Sequence, residues 1–245
     1  MRSLICLGTS DAFGSAGRHC AGYLLDTGQG RILIDAGPGL LTALKAQGRD
    51  TASIDAVVLS HLHGDHFAGV PFLLLEYTYE TPRTRPLIVV GPPDTERRVF
   101  EAYYALYSEA REHELPFEVR FVEVGDGDAT EVADARLESF RVPHQEKQVS
   151  LGHRFRFGGK TVVYSGDTAW TPDLLRQSSG ADLFLCECST FDTKVPKHVR
   201  YVEIEENRSR FECDRLVLTH LGREVRARSS EIAEELANDG LEIPL

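Results

Sequence analysis

Apolar positions fall into short runs of strand length punctuated by glycine, and these runs form two groups, each mixed with helical patterns. "SLICL", "GYLLD" and "RILIDAG" read as three successive strands joined by glycine-rich turns. "GLLTALKAQG" has helical spacing and ends on glycine, the residue that most easily takes the left-handed backbone past a helix end. "IDAVVL" is a β-branched stretch of strand length, "VPFLLLEYTY" is bulky and apolar enough to bury, and "PLIVVG" is a strand of the buried type. "DTERRVFEAYYALYSEA" predicts an amphipathic helix opened by Asp94 as its cap, with Arg97 and Arg98 on the polar side.

The stretch 117–165 is rich in strands, and "RFRFGGKTVVYSGD" is its clearest hairpin, turning at Gly158-Gly159. "DLLRQSS" predicts a short helix, "ADLFLCE" and "RLVLTH" predict strands, and "SSEIAEELAND" predicts a last capped helix. This element order is that of an α/β fold with two sheets packed face to face and helices outside. No linker, repeat or low-complexity segment divides residues 1–245, so a single domain is expected.

Composition narrows the function classes. The chain has 245 residues, enough for a large α/β domain with a substantial core. Its net charge of −11 argues against a broad, non-specific grip on nucleic acid, which needs cationic surface to displace counterions. A small anionic substrate remains compatible, because bound metal ions invert the local field. The five cysteines (Cys6, Cys20, Cys186, Cys188 and Cys213) are scattered without a C-x-x-C pair. A disulfide framework is therefore not expected, and a reducing cytoplasm fits. "CEC" puts Cys186 and Cys188 on one strand face, where they read as buried, inert thiols. "MRSLICLGTSDAFG" reads as a first strand and not as a signal peptide, and no stretch approaches the ~18 apolar residues of a membrane span.

The chemistry concentrates in "SHLHGDHFAG", which places His61, His63, Asp65 and His66 where a strand ends and the next element begins. Taken alone, Asp65 could cap a helix, and any one histidine could be an ordinary loop residue. Together they point to metal. Imidazoles this close repel when protonated, whereas neutral imidazole and carboxylate are ligands of the same divalent ions. His61 and His63, two apart on extended chain, point the same way; Asp65 and His66 point elsewhere and could serve a second ion. One hexapeptide supplies too few ligands. His144 in "RVPHQE", Asp167 in "VVYSGDT" and His220 in "LVLTHLG" each follow a β-rich run at a turn and are the candidates to complete the site.

The set "HLHGDH", His144, "SGDT" and "LTHLG" resembles the metallo-β-lactamase superfamily over nearly the whole chain. Within it, "LGTSDAFGSAGR", "LIDAGPG" and "CECSTF…KHVRY" resemble the phosphodiesterase branch that includes ribonuclease Z. The resemblance implies an αββα sandwich with two divalent ions at one edge of the sheets, zinc foremost and manganese as the alternative. It implies that His61, His63 and His144 hold the first ion, that Asp65, His66 and His220 hold the second, and that Asp167 bridges them. The lactamase branch proper has a cysteine at that bridging position. The resemblance also implies that His198 protonates the leaving group, oriented by Glu187 of the "ECSTF" segment, and that Asp65 orients the attacking water. A departing alkoxide needs such a proton donor on general grounds.

Two departures from ribonuclease Z shape the functional expectation. Its RNA-gripping arm lies between the third histidine and the bridging aspartate, and here only "QEKQVSLGHRFRFGGKTVVYS" and Gly166 fill that interval. Strong transfer-RNA binding is therefore not expected. A serine and an arginine of the ribonuclease shortly after the last histidine are replaced by Gly222 and an early Arg223. The remaining histidines, His19, His113 and His153, read as structural or solvent-facing. The expected function is a dinuclear metal-dependent hydrolase, a phosphodiesterase for small or cyclic phosphodiesters, cytoplasmic, without a membrane partner, and with a dimer left open. The alternatives are a lactone or thioester hydrolase on the same scaffold, and a metal-binding carrier or sensor without turnover.

Overall fold

Two seven-stranded sheets, built from the two halves of the chain, face each other in the computed structural model, which describes residues 2–245. The first half supplies β1 (Ser3–Gly8), β2 (Gly22–Asp26), β3 (Arg31–Ile34), α1 (Leu40–Ala46) and β4 (Ala56–Val58). It continues through α2 (Gly64–Phe67), α3 (Val70–Tyr79), β5 (Leu87–Gly91), α4 (Thr95–Leu106) and β6 (Val119–Glu123). The second half supplies β7 (Ala129–Val132), β8 (Ala135–Arg141), β9 (Leu151–Phe157), β10 (Lys160–Tyr164) and α5 (Asp173–Ser178). There follow β11 (Leu183–Glu187), α6 (Tyr201–Asn207), β12 (Leu216–Thr219), α7 (Arg223–Ala227), β13 (Glu235–Leu236) and β14 (Glu242–Pro244). Strand order is β14-β1-β2-β3-β4-β5-β6 in one sheet and β13-β12-β11-β10-β9-β8-β7 in the other, so the last strand crosses back to pair with the first.

The apolar runs are continuous because these strands are buried on two faces. Leu4 and Cys6 point into the core between the sheets, whereas Ile5 and Leu7 point outward under the first half's helices. Likewise Leu183 and Leu185 face inward, and Phe184 and Cys186 face the outer layer beside α6 residues Tyr201 and Ile204. This alternation yields one inter-sheet core and two outer ones, an αββα sandwich as expected. Cys186 and Cys188 are buried in the same outer core, and burial raises both thiol pKa values. Gly158 and Gly159 both have positive φ (50° and 78°), as the β9–β10 hairpin requires. No helix among the described residues is long and apolar enough to cross a membrane.

Two expectations are corrected. "SSEIAEELAND" is not a helix: one 3₁₀ turn, Ser229–Glu231, gives way to β13, which pairs in parallel with β12. The i, i+4 apolar pair Ile232 and Leu236 packs on the outer core all the same, and the open edge of β12 outweighs a weak helical preference. Asp94 does stand before α4, but its backbone is left-handed (φ 77°) and its side chain makes no capping bond. Its carboxylate instead accepts from Arg97 Nε at 3.1 Å.

Candidate metal centre

Strand ends assemble the site. β3 and β4 run parallel, as do β10, β11 and β12, so their C-terminal ends lie at one edge of the sandwich. Asp35 follows β3, His61 follows β4, Asp167 follows β10, Glu187 ends β11 and His220 follows β12. His144 enters from the turn after β8, while His63 precedes α2, and Asp65 and His66 lie within it. All seven sequence-predicted ligands converge there in two groups, each with ligand atoms mutually within 4.8 Å: His61, His63 and His144, and then Asp65, His66, Asp167 and His220.

Hydrogen bonding around the first group fixes which nitrogen of His61 and of His144 points inward. Ser60 Oγ donates to Asp35 at 2.8 Å, so the 3.1 Å contact between Ser60 Oγ and His61 Nδ1 has the imidazole as donor. His144 Nδ1 donates to the Lys197 carbonyl at 3.1 Å. Nε2 of His61 and Nε2 of His144 therefore turn lone pairs inward, each 3.1 Å from Nδ1 of His63. One proton on His63 cannot satisfy two lone pairs. Burial first, and then neighbouring imidazoles, push the pKa values of His61 and His63 down, which keeps the lone pairs free. Three nitrogens arranged in this way fit a divalent cation.

The second group is built around carboxylates. Asp65 Oδ2 lies 3.3 Å from His66 Nε2 and 3.4 Å from His220 Nε2. Asp167 Oδ1 lies 3.2 Å from His66 Nε2, and both atoms are buried without a hydrogen bond. Asp167 Oδ2 lies 3.3 Å from His220 Nε2, 3.9 Å from His144 Nε2 and 4.0 Å from His61 Nε2, so this carboxylate stands between the two groups. Burial alone would raise the pKa of Asp65 and of Asp167, but the surrounding histidines outweigh it and hold both well below the ordinary range. Burial likewise opposes charge on His66, and Asp167 and Asp35 overcome it, raising its pKa. The protein thus concentrates ionised carboxylates at a buried point that calls for positive charge, and the orphaned Asp167 and His66 atoms fit a cation there.

His198 and Glu187 flank this centre as a pair. His198 Nδ1 is hydrogen-bonded to Glu187 Oε1, and its ring stacks on His220 at 5.7 Å, 7° from parallel. Glu187 is fully buried, and its other oxygen accepts from the Thr168 and Val199 amides at 3.0 and 3.1 Å. Burial works against an imidazolium at His198, but Glu187 outweighs it and lifts the pKa to about 9. A cleft of about 260 Å³ opens over these groups, walled by His63, Asp65, His198 and the apolar Phe13 and Val195. Phe13 is 90% exposed at its mouth.

Sequence reasoning missed the residues that hold the candidate ligands in place. Asp35 is fully buried, has φ 53°, and accepts from the Ser60 amide (2.7 Å), Ser60 Oγ, His66 Nδ1 (2.7 Å) and Tyr164 Oη (2.8 Å). A non-glycine residue in left-handed backbone at such a point is held there by its surroundings. His220 is a second case, with φ 55°. The only signal for Asp35 was its place in "LIDAGPG", directly after a strand and before glycine. Ser60, Tyr164 and Ser189 gave no signal. Gly222 stands where a Cβ would meet the Ser189 carbonyl at 2.2 Å, and Arg223 is exposed at the start of α7. Of the other histidines, His153 is fully buried, His113 is exposed and His19 is half-buried beside Gly39.

The profile of the family described as "Anti-Pycsar protein Apyc1" matches residues 2–236. The chain belongs to that family, within the ribonuclease Z-like branch of the metallo-β-lactamase superfamily. Among curated proteins, ribonuclease Z of Lachnoclostridium phytofermentans is 28% identical over 90% of this chain and 87% of its own length. Among solved structures, the short form of human tRNase Z superposes with a TM-score of 0.79 at 22% identity, over 99% of this chain and all of that one. A diphosphatase of the PhnP family superposes equally well, with a TM-score of 0.79 at 18% identity over 100% of this chain and 98% of that one. At these identities the structural matches speak for the fold.

Proposed function

We propose that this chain is a dinuclear metal-dependent phosphodiesterase for small or cyclic phosphodiesters. The observation that carries the reading is the position of Asp167, one oxygen against the Asp65–His66–His220 group and the other reaching toward His61 and His144 as well. On this reading His61, His63 and His144 hold one ion, Asp65, His66 and His220 hold the other, and Asp167 spans both. The imidazole-rich donor set suits zinc, with manganese as the alternative. When bound, two such ions supply an ionised water near neutral pH and neutralise charge growing on the phosphoryl oxygens.

The chain's own groups do the rest. Asp65, half-buried on the cleft wall, would orient the attacking water. Glu187 keeps the His198 ring protonated and aimed, leaving Nε2 to give its proton to the departing ester oxygen. A carrier or sensor has no use for such an acid, which favours turnover. The narrow cleft favours a small substrate, and the free cysteines favour a reducing cytoplasm. Purified protein is expected to carry about two divalent ions per chain and to hydrolyse p-nitrophenyl phosphodiesters faster than lactones or thioesters. One ion or none with all seven ligands intact, or faster cleavage of the carbonyl substrates, would overturn the reading.

A further inference from the structure

Ser189 sits between the last ligand and the acid pair, and its single hydroxyl touches both. Its Oγ lies 3.0 Å from His220 Nδ1, 3.2 Å from Glu187 Oε1 and 3.2 Å from His198 Nδ1. The backbone that carries it is clamped on two sides. Its amide donates to the Val199 carbonyl at 3.1 Å, and its carbonyl accepts from the Gly222 amide at 3.1 Å. One clamp belongs to the loop that bears His198 and the other to the loop that bears His220. The hydroxyl is therefore held in place by the two segments it connects, and it is only 7% exposed.

Proton bookkeeping gives the direction of each bond. The Ser189 hydroxyl donates to Glu187 Oε1, while the other Glu187 oxygen already accepts from two backbone amides. The Ser189 oxygen must then accept from His220, which places an imidazole proton on Nδ1 and leaves Nε2, the nitrogen that faces Asp65 and Asp167, as the ligand atom. Glu187 Oε1 itself lies 3.7 Å from His220 Nδ1, too far to take this bond. Among the described residues, Ser189 is the only side chain within hydrogen-bond reach of that nitrogen. Three of the other four ligand histidines receive the same service from other partners: His66 from Asp35, His61 from Ser60, and His144 from the Lys197 carbonyl.

We infer that Ser189 is a positioning residue that fixes the His220 tautomer for metal binding and ties that ligand to the Glu187–His198 acid pair. The inference rests on the dinuclear reading above. Without the hydroxyl, the His220 proton has no buried acceptor and is free to move to Nε2, where it blocks the ligand position. Partners of this kind are worth roughly 10–100-fold in metal affinity.

The test is a zinc titration of metal-free protein against a competing chelator, with melting followed on the same metal-free samples. The parent protein is expected to bind two ions. Ser189→Ala and the near-isosteric Ser189→Cys, whose thiol is a poor hydrogen-bond partner, are expected to weaken one of the two by roughly 10–100-fold. The other ion should be retained, and the metal-free melting temperature should hardly move. Ser189→Thr, which restores the hydroxyl, is expected to recover parental affinity. A parent that binds fewer than two ions overturns the dinuclear reading and this inference with it. A parent that binds two, with Ser189→Ala and Ser189→Cys binding both as tightly, overturns the role of Ser189 alone. Equal weakening of both ions in all three variants marks a general structural effect and also overturns it.

Discussion

The Asp35 carboxylate accepts a 2.7 Å hydrogen bond from Nδ1 of His66, with both residues fully buried. The same oxygen accepts from Tyr164 Oη at 2.8 Å, so a strand of the opposite sheet helps to hold the carboxylate. Asp35 thereby sets the His66 tautomer and ties the two sheets together directly beneath the candidate metal centre.

Asp35→Asn tests that double role. Asparagine tolerates the left-handed backbone, so the chain path should survive. Its amide, however, brings donors to a place where four donors already converge. Turned toward His66, the NH₂ group opposes Nδ1–H; turned the other way, it opposes the Ser60 amide. Either choice leaves a buried donor unpaired, at a cost of about 1–3 kcal/mol. The expected result is a lower unfolding midpoint together with roughly 10–100-fold weaker binding of one ion. Unchanged zinc affinity in a correctly folded Asp35→Asn protein would mean that His66 does not depend on this bond.

The candidate ligands were legible in the sequence and their supports were not, for a physical reason. His61, His63, Asp65 and His66 announce themselves because titratable side chains crowded into one turn have few other uses. Asp35 looks like any turn aspartate until Tyr164 arrives from the other sheet, a contact between residues far apart in the chain. Ser189 is equally silent, since a serine hydroxyl has meaning only through what surrounds it. The strands were readable because burial on two faces makes their apolar runs continuous, as in "LIVVG" of β5. "SSEIAEELAND" misled because its partner, β12, is not local, and an i, i+4 apolar pair serves a strand and its approach as well as a helix.

His153 gives the stability a pH dependence of its own. It is fully buried, its Nε2 donates to the Leu59 carbonyl at 3.1 Å, and burial lowers its pKa to about 4. The unfolded chain has an ordinary histidine there, with a pKa near 6.5. Between those values the unfolded state binds more protons, so stability is full above pH 6.5 and falls as the pH drops toward 4. The loss amounts to at most about 3 kcal/mol. Urea midpoints of metal-free parent and His153→Gln, measured from pH 7 to 4.5, should diverge, with the variant showing the flatter profile. Parallel curves would show that His153 titrates normally.

Transfer RNA should be a poor ligand. The net charge is −11, and the interval between His144 and Asp167 is occupied by β9 and β10, which complete the second sheet and leave no projecting arm. At that net charge, binding gains little from counterion release. The isolated chain at physiological salt is expected to leave precursor transfer RNA intact and unshifted at micromolar concentration. Efficient cleavage under those conditions would require a cationic surface elsewhere on the molecule.

The acid role of His198 makes the most specific demand. His198→Ala should leave metal content unchanged: the ring does cluster with Asp167, Glu187 and His220, but its Nδ1 is engaged by Glu187 and it belongs to neither proposed ligand group. It should cut kcat by roughly 10²–10⁴-fold on alkyl phosphodiesters, whose departing alkoxide needs a proton. A bis(p-nitrophenyl) ester leaves as a stabilised phenolate and should lose far less. Glu187→Gln sharpens the test. Its carbonyl can keep the bonds from the Thr168 and Val199 amides, while its NH₂ group faces the His198 Nδ1–H and Ser189 and loosens the ring. It should reproduce the same leaving-group pattern in milder form. An equal loss on activated and unactivated esters would remove His198 from proton transfer, and loss of an ion in His198→Ala would make it a ligand or a support for one.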